Sequence, residues 1–250
     1  MSGAGHIRQR IWERLKDVAR PDARLHMDFS EFIPDFEGAE LATDRLLAWD
    51  KFSRDALVFV TPDNSLTTLR RELIVQGIPF IMSTYNMRRG FLYMAPGRVP
   101  RHVAQCAAWL EGMEYFAQPI SLAGIAELGR FSLAVTGASA VSMEGLRFGK
   151  GHVYFDLEWG LFTDLGLMDE ATPVAALVHD VQVVEDKMFP SETDIAVDAV
   201  STPSRFLPVE RATRRPRGIR WDRLSRDQIV TIPPLLELAS MRGIVSGEPR

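Results

Sequence analysis

The sequence predicts a doubly wound α/β fold: one mostly parallel sheet with helices on both faces. Three observations carry this prediction. Short, mainly apolar runs recur at 56–60, 78–82, 131–135, 173–178 and 195–200, the first of them continuous, the pattern of strands buried on both faces. Stretches with helical spacing lie between most of them. From residue 56 onward strands and helices alternate, as parallel pairing through crossover helices requires.

In chain order, Ile7, Ile11, Leu15 and Val18 recur at helical spacing over 6–20, and Pro21 ends that helix. Residues 22–38 are irregular, mixing aromatic and acidic residues with Pro34 and Gly38. A helix is expected over 39–49 through Leu41, Ala42, Leu46 and Leu47. The strand at 56–60 leads into a turn, Thr61-Pro62-Asp63-Asn64, with Ser65 as the expected cap of a helix over 66–75 that Gly77 stops. After the strand at 78–82, residues 83–100 show no clean period; Arg88, Arg89 and Arg98 stand among Tyr85, Phe91 and Tyr93. They line a site or, as favoured, form an anchored surface loop. A helix over 103–116 follows, with Cys106 on its apolar face as a small buried hydrophobe. Strands are expected at 131–135 and 138–143, a helix over 154–165, strands at 173–178 and 195–200, and a last helix over 232–241. Ser139 and Ser142 read as structural.

Composition narrows the function. The chain has 250 residues, 46% hydrophobic and 25% charged, enough to bury a core without staples. A net charge of −4 gives no reason to expect nucleic acid or an acidic membrane surface as partner. One cysteine excludes an intrachain disulfide framework and a thiol metal cluster. The five histidines have no metal-ligand spacing, and no Gly-X-Ser-X-Gly elbow occurs. No apolar run approaches membrane-spanning length and the first residues have no apolar signal core, so the expectation is a cytoplasmic enzyme or binding protein. Residues 205–226 hold eight arginines, by default a solvated surface and alternatively a docking site for a polyanion; Ile219 and Trp221 suggest packing on the body.

The richest chemistry lies in 145–156, Gly-Leu-Arg-Phe-Gly-Lys-Gly-His-Val-Tyr-Phe-Asp. Its glycines permit close backbone approach, Arg147 and Lys150 can neutralise phosphate, and Asp156 can hold a hard cation. The stretch reads as a phosphate-binding loop between strand and helix, or as an ordinary Gly-rich turn. Its spacing is neither that of a P-loop nor that of the dinucleotide fingerprint. His179 and Asp180, with Gln182 beyond, follow a strand and form an acid/base pair or a backbone-satisfied strand end. Asp194 and Asp198 share one face if 195–200 is a strand, where they cap turns or bind ligand.

Four stretches together resemble the 5-formyltetrahydrofolate cyclo-ligase (methenyltetrahydrofolate synthetase) family. They are 7–12 (Ile-Arg-Gln-Arg-Ile-Trp), 33–39 (Ile-Pro-Asp-Phe-Glu-Gly-Ala), the loop 147–156, and 178–184 (Val-His-Asp-Val-Gln-Val-Val) with Asp194 and Asp198 beyond. Gly149-Lys150-Gly151 followed by Asp156-Leu157-Glu158, with 216–221 and 232–235 (Ile-Pro-Pro-Leu), resembles the divergent synthetase-domain paralogues. The resemblance implies a Rossmann-like α/β/α domain of the sugar-phosphate isomerase and coenzyme-A transferase type. It would span residues 1–204, with 205–250 as an Arg-rich extension packing on it.

It also implies ATP, Mg²⁺ and a reduced folate, the formyl oxygen being phosphorylated before ring closure to 5,10-methenyltetrahydrofolate. By the same resemblance Arg8, Arg147, Gly149, Lys150 and Gly151 contact phosphate, and Asp156 helps to bind Mg²⁺. Tyr154 sits against the transferred group or the folate, while Gln182 and Asp194 border the site. Two positions depart from the pattern: Val153 stands where the family has glycine, and Ala4 where it has lysine. They open a second reading, an ATP-independent hydrolase or isomerase for another small heterocycle or formyl compound, using His152 and His179. A third reading is a ligand-binding regulator whose Arg-rich tail contacts a partner.

Overall fold

The structure, a computed structural model, describes residues 3–149, 154–211 and 213–244. Lys150, Gly151, His152 and Val153, and the side chain of Ala4, lie outside the described residues.

Five strands form the parallel centre of the main sheet. In spatial order they are β10 (Ala199–Ser201), β8 (Val174–Leu177), β5 (Phe131–Thr136), β1 (Leu57–Val60) and β2 (Phe80–Ser83). Antiparallel strands finish both edges: β11 (Phe206–Pro208) on β10, then β3 (Phe91–Met94) and β4 (Gln118–Ile120) beyond β2. All residues of β1, β2 and β8 are buried, which is why they read as unbroken apolar runs. One face of the sheet packs on α2 (Ala39–Leu47), α3 (Thr67–Gln76), α4 (Ala104–Ala108) and α5 (Leu110–Phe116). The other packs on α6 (Leu122–Leu128), α7 (Tyr154–Asp164) and α9 (Pro233–Met241), with α8 (Arg226–Thr231) lying against α9. Phe162 of α7 is the centre of that second face, with ring centroids 4.9, 5.1 and 4.7 Å from Phe59, Phe91 and Phe131. Truncating a core phenylalanine of this kind costs about 3–5 kcal/mol.

A smaller sheet, in the order β7 (Arg147–Phe148), β6 (Ala140–Ser142) and β9 (Val183–Val184), lies beside the main one. It packs with Ile7, Ile11 and Leu15 of α1 (Gly3–Leu15) and with Phe29 and Phe32 into a third core. The expected strand at 138–143 thus belongs to this second sheet, and it carries Arg147 by antiparallel pairing of β6 with β7.

Several expectations are corrected. α1 ends at Leu15, whose carbonyl accepts from Val18 and Ala19, so the chain turns before Pro21. The helix over 103–116 breaks at Trp109 (φ −68°, ψ 158°) into α4 and α5. Gly112 allows the second piece to fold against the first, since a Cβ there would lie 1.8 Å from the Cys106 carbonyl oxygen. The break turns Ala104, Ala107 and Ala108 inward and leaves Cys106 exposed rather than buried. Ser65 lies inside a short 3₁₀ turn and caps nothing; its buried hydroxyl has no hydrogen-bond partner. The strand expected at 195–200 begins only at Ala199, so Asp194 and Asp198 do not share a strand face.

The Arg-rich segment is not simply a solvated surface. Arg215 is buried, bonded to Asp198 and to the carbonyls of Ala196 and Thr172, and stacked 5.0 Å from the Trp159 ring. Arg211 joins Glu170 to Asp198, Arg205 reaches Asp180, and Arg220 and Arg223 share Glu192. Charges consumed internally leave less for a polyanion. Among the described residues no helix is long and apolar enough to cross a membrane.

Candidate functional site

The parallel strands leave β1 in opposite directions, to β2 on one side and to β5 on the other. Such a switch point opens a crevice beyond the carboxyl ends of the two strands. Here that crevice is lined by Thr61, Pro62 and Asp63 after β1, and by Thr136 and Gly137 at the end of β5.

The Asp63 carboxylate ties the two strand ends together. It accepts from the Thr61 hydroxyl (2.5 Å) and the Gly137 amide (2.9 Å). Only glycine fits at 137, because a Cβ would meet Ser65 Oγ at 2.7 Å and Asp63 Cβ at 3.0 Å. Behind the turn lies Arg70, with no exposed surface. Its guanidinium donates to the carbonyls of Ala108 (2.8 Å), Thr61 (3.3 Å) and Asp63 (2.9 Å) and to the Thr67 hydroxyl (3.1 Å). The signal for Arg70 was present in the sequence: it falls on the apolar stripe of Leu66, Leu69, Leu73 and Ile74.

The other wall carries the charges expected from the loop. Arg147 pairs with Asp156 at 2.8 Å, both side chains nearly buried, with the Phe155 ring 4.3 Å from the guanidinium. Burial first, and then repulsion from Asp194, push the Asp156 carboxyl up to about 6 against the pull of Arg147. Arg147 Nε is buried without a hydrogen-bond partner. Arg8 of α1 donates to the Gly149 carbonyl at 2.9 Å, stacks on Phe148 at 5.4 Å, and is attracted by the Asp194 carboxylate. Asp194 itself accepts from the Ser191 amide at 2.7 Å. Arg147, Gly149 and Tyr154 line the crevice, and Arg8, Asp156 and Asp194 stand behind them.

Gln182 lies apart from the crevice. It is fully buried; its amide donates to the Ala138 carbonyl (2.5 Å) and accepts from the His179 amide (2.7 Å), so both ends are used in the fold. His179 caps the same turn, with Nδ1 accepting from the Val181 amide and the ring edge-on to Phe36. Asp180 is held by Thr202 and Ser204. These contacts favour the backbone-satisfied reading of His179 and Asp180 over an acid/base pair. Lys150, Gly151 and His152 fall outside the described residues.

The sequence assigns Glu158 no role of its own. It sits on the buried face of α7, 1% exposed, and lines the crevice. Its Oε2 has no hydrogen-bond partner, and the Ser83 hydroxyl that faces it makes no aligned bond. Burial, reinforced by Asp63 and Asp156, pushes this carboxyl up to about 8. The folded protein therefore keeps a proton that the unfolded chain releases from about 4.5 upward, and stability falls as pH rises from about 4.5 to about 8. The Glu158→Gln variant lacks this loss. Its advantage in thermal midpoint is expected to widen between pH 5 and 8, reaching the order of a few kcal/mol. A difference that does not change with pH would contradict the buried neutral acid.

Comparison with known proteins follows the same lines. A profile of the 5-formyltetrahydrofolate cyclo-ligase family matches residues 1–203. A human methenyltetrahydrofolate synthase domain-containing protein is 32% identical over 241 residues, covering 93% of this chain and 60% of that protein. The mouse protein of the same description is 30% identical over 238 residues, covering 93% and 62%. The chain thus spans about three fifths of the length of these relatives. A solved structure of 5,10-methenyltetrahydrofolate synthetase from Aquifex aeolicus aligns with a TM-score of 0.47 at 15% identity, over 88% of this chain and 98% of that one.

Proposed function

The chain belongs to the 5-formyltetrahydrofolate cyclo-ligase family, and from that premise we propose that it is an ATP- and Mg²⁺-dependent cyclo-ligase acting on 5-formyltetrahydrofolate or a closely related reduced folate. The observation that carries the reading is the Arg147–Asp156 pair beside Arg8, Asp194 and Gly149 at the switch point of the sheet. Guanidinium groups suit phosphate, and the glycine carbonyl at 149 is already held by Arg8.

The residues fit the two cofactors. Magnesium with a nucleotide is normally bound by one or two carboxylates together with phosphate oxygens and water. Asp156 and Asp194 lie close enough behind the crevice wall to repel one another, and a cation shared with phosphate oxygens would relieve that repulsion. Bound there, ATP supplies the phosphoryl group that makes the formyl oxygen a leaving group, with Mg²⁺ offsetting its charge.

The chain's own residues position and compensate. Arg8, Arg147 and Lys150 neutralise phosphate, and Gly149 and Gly151 let the backbone approach it. Tyr154, at the start of α7 and on the crevice wall, contacts the transferred group or the folate. Proximity and fixed charge account for catalysis of this class. At MgATP a hundredfold above its Kd, the protein is expected to gain about 2.7 kcal/mol of apparent stability. With 5-formyltetrahydrofolate added, the methenyl absorbance should appear. Absence of both stabilisation at millimolar MgATP and new methenyl absorbance would overturn the proposal.

A further inference from the structure

The Arg-rich segment contains an arginine that the fold buries and the proposed chemistry leaves unused. The Arg215 side chain is 1% exposed, and all three guanidinium nitrogens are committed. Nε donates to the Ala196 carbonyl (2.8 Å), Nη1 to the Thr172 carbonyl (2.9 Å) and Nη2 to the Asp198 carboxylate (2.5 Å). The guanidinium carbon lies 5.0 Å from the centre of the Trp159 ring. The next residues continue the contact along α7. The Trp159 indole donates to the Pro216 carbonyl, and the Gly218 and Ile219 amides donate to Thr163 Oγ1 and Asp164 Oδ2, each at 2.9 Å. Only glycine fits at 160, where a Cβ would meet Ile219 Cδ1 at 2.7 Å and the Gly218 carbonyl oxygen at 3.0 Å. Apolar side chains often replace a buried ion pair without loss of stability, so folding alone gives little reason for an arginine here.

We propose that Arg215 is a positioning residue of the nucleotide site: it fixes the segment that carries Asp194 against the helix that carries Asp156. Ala196 lies two residues after Asp194, and Trp159 lies one turn after Asp156 on the same side of α7. The two stretches also meet directly, since the Ile195 amide donates to the Asp156 carboxylate. A single planar fork, stacked on Trp159 and bonded to Ala196, thus sets their separation; the single flexible ammonium of a lysine does not fix several directions at once. The site needs that separation held. Magnesium demands near-ideal octahedral geometry, and a displacement of about 1 Å costs on the order of a hundredfold in rate. Arg215 does not line the crevice, so it acts through Ala196 and Trp159 and not on the ligand itself. The assignment rests on the MgATP reading for its ligand. The tie between 194–198 and α7 does not.

Calorimetric titration with MgATP and with 5-formyltetrahydrofolate, each alone, tests it in Arg215→Met and Phe162→Leu. Both variants loosen α7, but only the first releases the 194–198 segment. Arg215→Met should weaken MgATP by at least about tenfold and the folate by less than about threefold. Phe162→Leu should leave both within about threefold of the wild type. Arg215→Lys keeps a charge for Asp198 and should fall between methionine and the wild type for MgATP. Amide hydrogen exchange without ligand gives a second measure. In Arg215→Met the amides of Ile195, Val197 and 158–160 should speed up at least about tenfold more than those of β5, which report global unfolding. The assignment is overturned if Arg215→Met binds MgATP as the wild type does, if it loses both ligands equally, if Phe162→Leu shows the same selective loss, or if exchange at Ile195 and Val197 speeds up no more than in β5. Should Arg215→Met not fold, Arg215→Lys must show the MgATP-selective loss by at least about threefold, and without it the assignment falls. If the wild type binds no MgATP, the ligase reading falls and exchange alone decides: faster exchange confined to 195–197 and α7 upholds the tie, and exchange matching β5 overturns it.

Discussion

Replacing Arg147 by alanine is expected to destabilise the protein by about 3–5 kcal/mol near neutral pH, the usual effect of leaving one member of a buried ion pair alone. The orphaned group is Asp156, whose side chain is 10% exposed and already repelled by Asp194. Protonation relieves it, so the deficit should shrink in urea denaturation as pH falls from 8 to 5. A carboxyl already held up to about 6 rises further without its guanidinium, and the neutral acid is cheaper to bury. Arg147→Ala combined with Asp156→Ala should cost less than the sum of the two single changes. In the proposed ligase, Arg147→Ala should also lower turnover by roughly a hundredfold or more, as loss of a charge-stabilising donor does. Arg147→Lys should keep more stability than alanine but lose the paired geometry. A stability change below about 0.5 kcal/mol would show that the pair does not hold β7 to α7.

The second large effect is expected at Arg70. Its cation lies in the core, held by three carbonyls and one hydroxyl rather than by a direct carboxylate bridge. Burial lowers its pKa to about 10, with Asp63 and Asp35 as the counter-charges, so it stays protonated at neutral pH. Arg70→Leu keeps the aliphatic volume and removes every donor. Each abandoned buried carbonyl costs about 1–3 kcal/mol, so a loss of at least about 3 kcal/mol is expected in denaturant midpoint. The turn that carries Asp63 and meets Gly137 loses its anchor, so in the proposed ligase KM for 5-formyltetrahydrofolate should rise even where enough protein remains folded. Arg70→Lys should fall between the two. An unchanged midpoint for Arg70→Leu would mean that water replaces the guanidinium, and would end the argument for Arg70 as the anchor of the site.

Much of the fold is legible because a parallel sheet covered on both faces writes itself as apolar runs, such as Leu57–Val60 and Val174–Leu177. Gly77 marks the end of α3 as expected, with φ of 69°. The edges are less legible. β3 and β4 are short and antiparallel, and β4 is mostly exposed, so neither shows a strong period. α6 is not legible although Ser121 caps it through the Gly124 amide, because seven residues are too few for a clear helical stripe. Of the residues named for the site, Arg8, Arg147, Gly149, Tyr154, Asp156 and Asp194 do gather around the crevice. Residue type within one Gly-rich loop, and the resemblance it carried, were enough to find most of them.

By itself the sequence determined most of the central strands and helices, the family, and the residue types concentrated in 145–156. Only the tertiary structure decided what state each charged group is in. Arg215 belongs to a segment that reads by default as a solvated surface and is an interior tie, as is Arg70; Glu158 is a buried acid whose Oε2 has no hydrogen-bond partner; Cys106 reads as core and is exposed. The reason is physical. Local spacing reports which face of an element is apolar, but desolvation and the sum of neighbouring charges depend on groups from distant parts of the chain. Around Glu158 those are Asp63 after β1, Ser83 at the end of β2 and Arg147 of β7, which meet only where the sheet reverses its winding.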